Sequence, residues 1–225
     1  MSNVEYQEGG FLRVRIGDAL GNKYNILKYL GRGTYATVWM IKDKAREKYS
    51  AVKITRSHQL SRAAAIDEKK VWQHIQKHGQ HPNIVKWLDS FNIKHNNTRH
   101  FTLRFEMMGP SLADAMKLQE RQFHLEVIKR IIKQILEAVK HLHHLGVIHM
   151  DIKPCNIMIA ITDENIQNLA NSEDRTHNRY DLNVTNPNSN IIVKIADMGL
   201  SCIADRVRIQ ARPTCSYSSP EASDA

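Results

Sequence analysis

The chain has 225 residues and a mass of 25.9 kDa, with 42% apolar and 24% charged residues. That is enough for one domain or two small lobes around a real core, in an ordinary globular composition. No run approaches about 18 apolar residues, and the opening MSNVEYQEGGF is polar and acidic, which argues against a membrane span or a secretory signal.

Cys155, Cys202 and Cys215 are odd in number and have no C-x-x-C spacing. They read as reduced thiols of a cytoplasmic or nuclear, soluble protein rather than as a zinc module. The twelve histidines are scattered apart from His141, His143 and His144, which suit a solvated helix end better than a metal site. The net charge of +9 suits a phosphate-rich partner. The basic residues are nevertheless spread along the chain without interleaved aromatics, so a polyanionic small molecule is a better match than nucleic acid.

In chain order, residues 24–30, 36–43 and 49–55 are short β-forming segments separated by turn-like residues, and they predict antiparallel strands. Over residues 61–78, Ala64, Ala65, Glu68, Val71, Trp72 and Ile75 recur at helical spacing, with Ser61 as the expected N-cap. Strands are expected again near 84–93 and 101–107. After Met108-Gly109-Pro110 the pattern turns helical. The broad apolar stripe of residues 126–145 (Val127, Ile128, Ile131, Ile132, Ile135, Leu136, Val139, Leu142) ends at Gly146, a good helix stop. Short extended pieces follow at 147–148, 157–161 and 191–195. Residues 162–190 are rich in Asn, Asp, Glu and Ser and read as a disordered insertion. The expected organisation is an N-terminal extension (1–23), a β-rich lobe (24–108) and a mainly helical lobe (109–225), with a cleft between the two lobes.

Four stretches can carry chemistry. GRGTYATV, residues 31–38, lies between two strands. Its glycines permit either a plain hairpin turn or close backbone approach to phosphates, with Ala36 where a third glycine would stand. AVKI, residues 51–54, points Lys53 away from the face of Val52 and Ile54. Lys53 is either an exposed strand lysine or a fixed cation beneath phosphates. In the second case it needs a carboxylate partner, Glu68 first and Asp67 second. HMDIKPCN, residues 149–156, offers Asp151 to accept a hydroxyl proton, Lys153 to steady a phosphoryl group and Asn156 as an amide-oxygen ligand. Pro154 holds the segment out of helix. IADMG, residues 195–199, places Asp197 at a strand end as a carboxylate for Mg²⁺.

Taken together, GRGTYATV, AVKI, the helical Glu68, HMDIKPCN, DMG and SSPE stand in the order of the eukaryotic protein kinase signature set, from about Tyr24 to Glu221. The resemblance implies an α+β bilobal protein-kinase-like fold with ATP and Mg²⁺ as cofactors and a protein presenting Ser or Thr as acceptor. It implies catalytic roles for Asp151 and Lys153, and metal binding by Asn156 and Asp197. Nucleotide binding falls to Gly31, Arg32, Gly33, Thr34, Val38, Ala51, Lys53, Glu68, Glu106, Met108 and Met158, with residues 105–108 as gatekeeper and hinge. DIKPCN resembles the serine/threonine form of the loop. FEMMGPSL, the insertion after the catalytic loop and VKIADMG are similar to the SR-protein kinases.

Some positions depart from that pattern. Met150 stands where an arginine usually receives an activation-loop phosphate, so activity is expected not to depend on phosphorylating that loop. Met198 takes the middle of the usual D-F-G and can fill an apolar spine. Thr214 is expected near Asp151 in the substrate loop. Cys155 is either a reactive thiol near ribose or a passive loop residue. The chain stops four residues after Glu221, so the helical lobe is expected to be incomplete after SPE and the stripe on 126–145 poorly covered. The implied function is an ATP-dependent serine/threonine protein kinase; the alternative is a kinase-like nucleotide-binding scaffold.

Overall fold

The computed structural model describes residues 9–95, 97–118, 123–172, 180, 182–204 and 217. The chain divides into two compact units. The first comprises Met1–Lys69, Lys86–Met107 and Ile161–Tyr180, and the second comprises Lys70–Val85, Met108–Ala160 and Asp181–Ala225.

The first unit is built on a six-stranded antiparallel sheet in the order β1-β2-β3-β4-β6-β5. Its strands are β1 (Ala19–Leu20), β2 (Tyr24–Arg32), β3 (Ala36–Asp43), β4 (Tyr49–Thr55), β5 (Trp87–His95) and β6 (Thr98–Phe105). Period-2 alternation sorts the side chains to two faces. Val52 and Ile54 join Leu12, Leu20, Tyr24, Ile26 and Ile41 in one apolar cluster. The opposite face, which carries Ala51 and Lys53, packs Met40 and Met107 against Leu27, Leu30 and Tyr49. The β3–β4 hairpin runs in unbroken register from Ala36↔Thr55 to Lys42↔Tyr49. Its turn is fixed by Asp43 Oδ1, which accepts from the amides of Ala45 and Arg46 at 3.0 and 3.1 Å. In β2 the register to β3 shifts between Tyr29 and Gly31, at the entrance to the glycine-rich turn.

Two expectations are corrected in this unit. Residues 9–23 are not a separate extension, because Phe11, Leu12 and Leu20 are buried and β1 adds a strand to the sheet. Within the stretch expected to be disordered, Asp163–Asn171 forms helix α4, capped by Thr162, whose side chain accepts from the Asn165 amide. Leu169 is buried with Met40 and Met107, and Ile166, Ala170 and Tyr180 pack around it. Three apolar residues on one face are enough to dock this otherwise polar helix against the sheet. Beyond it, Arg130 donates to the carbonyls of Pro187 and Ser189, within the second unit.

Helix α1 (Gln59–His78) begins two residues before its expected cap. The first-turn amide of Leu60 is met by His58 Nδ1 at 3.3 Å, while Ser61 lies buried inside the helix. Strand β6 begins and ends slightly earlier than residues 101–107, and β5 starts at Trp87 because Ile84 makes a single bridge to Ile195 instead.

The second unit packs α2 (Leu112–Leu118), α3 (Leu125–His144) and short strands β7 (Val147–Ile148), β8 (Ile157–Ile159), β9 (Val193–Ile195) and β10 (Cys202–Ile203). His124 caps α3 by accepting the Glu126 amide, and Gly146, at φ 69°, ends it as expected. Val127, Ile131, Ala138 and Leu142 face the core, whereas Ile128, Ile132 and Leu136 are exposed. The side chain of Gln134 ties three segments together. Its Oε1 accepts from Asn83 Nδ2 at 2.8 Å and from the Val193 amide at 3.0 Å, and its Nε2 donates to the Ile191 carbonyl. Among the described residues no helix is long and apolar enough to cross a membrane.

Candidate active site

Lys53 sits in the middle of β4, opposite Val38 on β3 and Leu103 on β6. Its Nζ lies 2.9 Å from Glu68 Oε2. Glu68 is 3% exposed, on the buried side of α1. Of the two carboxylates the sequence offered, the structure therefore joins Lys53 to Glu68, inside the first unit. The turn over residues 31–35 joins β2 to β3 and is closed by the Gly33 amide donating to the Ala36 carbonyl at 2.8 Å. Arg32, Gly33 and Thr34 are exposed there, Val38 is half-buried in β3 and Ala51 half-buried two residues before Lys53. Glu106 turns its carboxylate to the Lys86 amide at 2.8 Å, and its own amide bonds the Lys86 carbonyl at 3.0 Å. Phe105 pairs with Ala51 and Trp87 at the end of β6.

In the second unit Lys153 and Asn156 meet on one carboxylate, that of Asp151. Asp151 Oδ2 accepts from Lys153 Nζ at 2.8 Å and from Asn156 Nδ2 at 2.9 Å. The same Asn156 amide group also donates to the Asp151 carbonyl at 2.9 Å. Both amide protons are thus used, which turns Asn156 Oδ1 into the group's remaining acceptor. Pro154 was expected to hold this segment out of helix, but Pro154–Asn156 forms one 3-10 turn, which Pro154 can begin because no N–H is needed at its start. Met108 is buried and Met158 half-buried; next to them the Gly109 amide bonds the Ile159 carbonyl and Ser111 bridges Met158.

His149 orders this loop, and sequence reasoning assigned it no role, although it heads the HMD stretch. Its Nε2 lies 3.0 Å from the Ala196 carbonyl, so Nε2 carries the proton, and Nδ1 accepts the Asp151 amide at 3.2 Å. Burial pushes its pKa below 6.5; the Ala196 hydrogen bond and the charges of Asp197 and Asp151 oppose this, and Lys153 adds to it. The ring is therefore held as the neutral tautomer, a fixed spacer between the two acidic loops. Ser201 Oγ donates to the His149 carbonyl at 3.1 Å, and the Ala196 amide bonds the Asn156 carbonyl at 2.9 Å.

Two non-glycine residues of this region adopt left-handed backbone, Met150 at φ 61° and Asp197 at φ 58°. Such conformations cost roughly 1–3 kcal/mol and persist only where neighbours hold them. Here His149, Asn156 and the β7–β10 pairing do so. Asp197 is exposed, with Oδ1 taking the Gly199 amide at 3.2 Å, and Met198 behind it is fully buried. Asn156 Oδ1 and the Asp197 carboxylate are each oxygen donors of the kind that Mg²⁺ accepts together with phosphates and water. Cys155 is exposed. Thr214, Cys215 and the SSPE stretch with Glu221 lie outside the described residues.

The protein kinase domain family matches residues 24–224. Similar proteins include the serine/threonine-protein kinase spk-1 of Caenorhabditis briggsae, at 34% identity over 174 residues, covering 74% of this chain and 15% of that protein. SRSF protein kinase 3 of Mus musculus is 30% identical, with 74% of this chain and 30% of its own length covered. Protein kinase dsk1 of Schizosaccharomyces pombe is 32% identical, over 73% of this chain and 32% of its own. The chain thus spans less than a third of each of these three relatives. A solved crystal structure of a kinase domain superposes with a TM-score of 0.74 at 25% identity, over 94% of this chain and 61% of that one. With β-rich and mainly helical units, and with the signature side chains arranged as above, the chain belongs to the protein kinase domain family.

Proposed function

We propose that the chain is the catalytic part of an ATP-dependent serine/threonine protein kinase. The observation that carries this is Asp151, whose carboxylate is oriented by Lys153 and Asn156 while its backbone is fixed by His149. A rigidly held acceptor of that kind suits a hydroxyl that must be aligned before attack. In the proposed reaction the acceptor hydroxyl approaches the γ-phosphorus of ATP and its proton moves toward an Asp151 oxygen. The new O–P bond forms as the bond to the β–γ bridging oxygen breaks, leaving ADP and a phosphorylated serine or threonine. Lys153 sits within reach of the same carboxylate and offsets charge on the transferred group. Lys53, held by Glu68, meets the α- and β-phosphates, and the 31–35 turn covers them with backbone amides. Met108 and Met158 offer apolar contacts to the adenine. Asn156 and Asp197 would hold Mg²⁺, which supplies charge neutralisation of the phosphates when bound.

The similarity to proteins named as serine/threonine and SRSF kinases supports Ser/Thr as the acceptor class. Met150 in place of an arginine supports turnover without activation-loop phosphorylation. Treating an active preparation with phosphatase is expected to leave its rate unchanged.

The deciding experiment measures Mg²⁺-dependent transfer from labelled ATP to a generic protein acceptor. Asp151→Asn and Lys53→Met should each lower turnover by about 100-fold or more. Nucleotide binding without turnover in the parent would overturn the enzyme reading and leave the scaffold.

A further inference from the structure

We infer that Phe11 is a positioning residue for the glycine-rich turn, a brace that sets how firmly the turn closes on phosphates. Its effect on nucleotide rests on the function proposed above; its effect on the turn does not.

The brace begins with the backbone. The Gly10 carbonyl accepts from the Ser57 amide at 2.9 Å and from Ser57 Oγ at 3.4 Å, which fixes the strap of residues 9–12 beside the end of β4. Gly9 turns the strap at φ 82°, a conformation that a side chain would strain. Leu12 drops into the sheet's apolar cluster, and Phe11 is buried as well. A phenyl ring needs no charged neighbours, yet this one has two. The guanidinium carbon of Arg32 lies 4.6 Å from its centroid, and that of Arg56 lies 5.0 Å away. Both distances suit attraction between a cation and the ring quadrupole.

The two arginines belong to the two sides of the turn. Arg32 is the last residue of β2, where the chain enters it. The Arg56 amide donates to the Tyr35 carbonyl at 2.9 Å, where the chain leaves it. The Nε of Arg56 is buried and has no hydrogen-bond partner among the described residues, so its fit on the ring matters more. Residues 32–35 themselves are exposed, with Tyr35 at 65%. The turn is held by the Gly33–Ala36 and Arg56–Tyr35 bonds and by the Arg32–Thr37 pairing at its base, and one ring reaches both of its ends. Leucine would fill most of the same apolar space without the quadrupole, whereas tyrosine would keep the ring.

The test compares the parent with Phe11→Leu and Phe11→Tyr in two measurements. The first is amide hydrogen exchange over residues 31–38 and at Arg56 without nucleotide. The second is the dissociation constant of a fluorescent ATP analogue with Mg²⁺. Phe11→Leu is expected to speed exchange in these residues by about three- to tenfold and to weaken the analogue by a similar factor. Phe11→Tyr should behave as the parent in both, and exchange in β5 and β6 should be unchanged in either variant. Parent-like exchange in Phe11→Leu would overturn the brace, and equal loosening by Tyr and Leu would reduce Phe11 to simple packing. Faster exchange with unchanged analogue affinity would remove the link to nucleotide. A parent that binds no nucleotide would sink the proposed function, while the exchange data would still decide the brace.

Discussion

Glu68 is a carboxylate at 3% exposure facing a lysine that is itself one-fifth exposed, so the two partners stand to lose different amounts. Removing Lys53 leaves a charge in a site that water reaches poorly, and removing Glu68 leaves an ammonium that can turn toward solvent. Lys53→Met should therefore cost about 1–3 kcal/mol in urea unfolding, and Glu68→Gln less, since a fully buried broken pair costs about 3–5 kcal/mol. The double variant Lys53→Met/Glu68→Leu should lose less than the sum of the single changes. Asn156 makes a different prediction, because its amide holds both the backbone and the carboxylate of Asp151. Asn156→Ala should lower turnover about 10- to 100-fold in steady-state kinetics, as a misplaced reacting group does. From residue types alone Lys53 was either an exposed strand lysine or a cation paired with Glu68 or Asp67, and only the resemblance to the kinase signature set made the observed pair with Glu68 legible. His149 and Phe11 were not. A histidine acting as a neutral spacer and a ring gripped by two arginines depend on residues 47 and 21 to 45 positions away, and neither leaves a local pattern.

At the level of elements, β3 and β4 were legible to the residue because short runs rich in apolar and β-forming residues meet a clear turn at Asp43. Helix α4 was hidden by its composition. Asp163, Glu164, Asn165, Asn168 and Asn171 read as solvated chain, and its docking rests mainly on Ile166, Leu169 and Ala170. Leu169→Ala should cost about 2–4 kcal/mol, as emptied core positions do, whereas Gln167→Ala on the exposed side should stay within about 0.5 kcal/mol. Thermal melting distinguishes them, and equal midpoints would mean that α4 is not docked in solution. Helix α1 shows why ends are the least legible part of an element. Ser61 has the chemistry of a cap, yet His58 supplies the acceptor and the helix starts earlier.

For the molecule as a whole, acidity is the condition to which the structure is most exposed. His100 and His149 are both almost completely buried, and burial pushes the pKa of each below 6.5. His81 is shifted the same way, by burial and by the nearby His141. Between the depressed values and 6.5, the unfolded chain takes up protons that the folded chain refuses. The stability is complete above pH 6.5 and is lost as the pH falls through that window. The urea midpoint should drop from about pH 7.5 to about pH 5.5, and His100→Gln should drop less, having one titrating group fewer. The exposed residues Ile128, Ile132 and Leu136 on α3 have a consequence of another kind, in colloidal behaviour. Lys129, Lys133 and Lys140 stand among them on a chain of net charge +9, so at low ionic strength copies repel one another. Raising salt from about 0.01 M to about 0.15 M shortens the screening length from about 30 Å to about 8 Å and leaves the apolar contacts intact. The second virial coefficient from light scattering should then fall from positive toward negative, so this protein should be kept dilute in salt and can be concentrated without it.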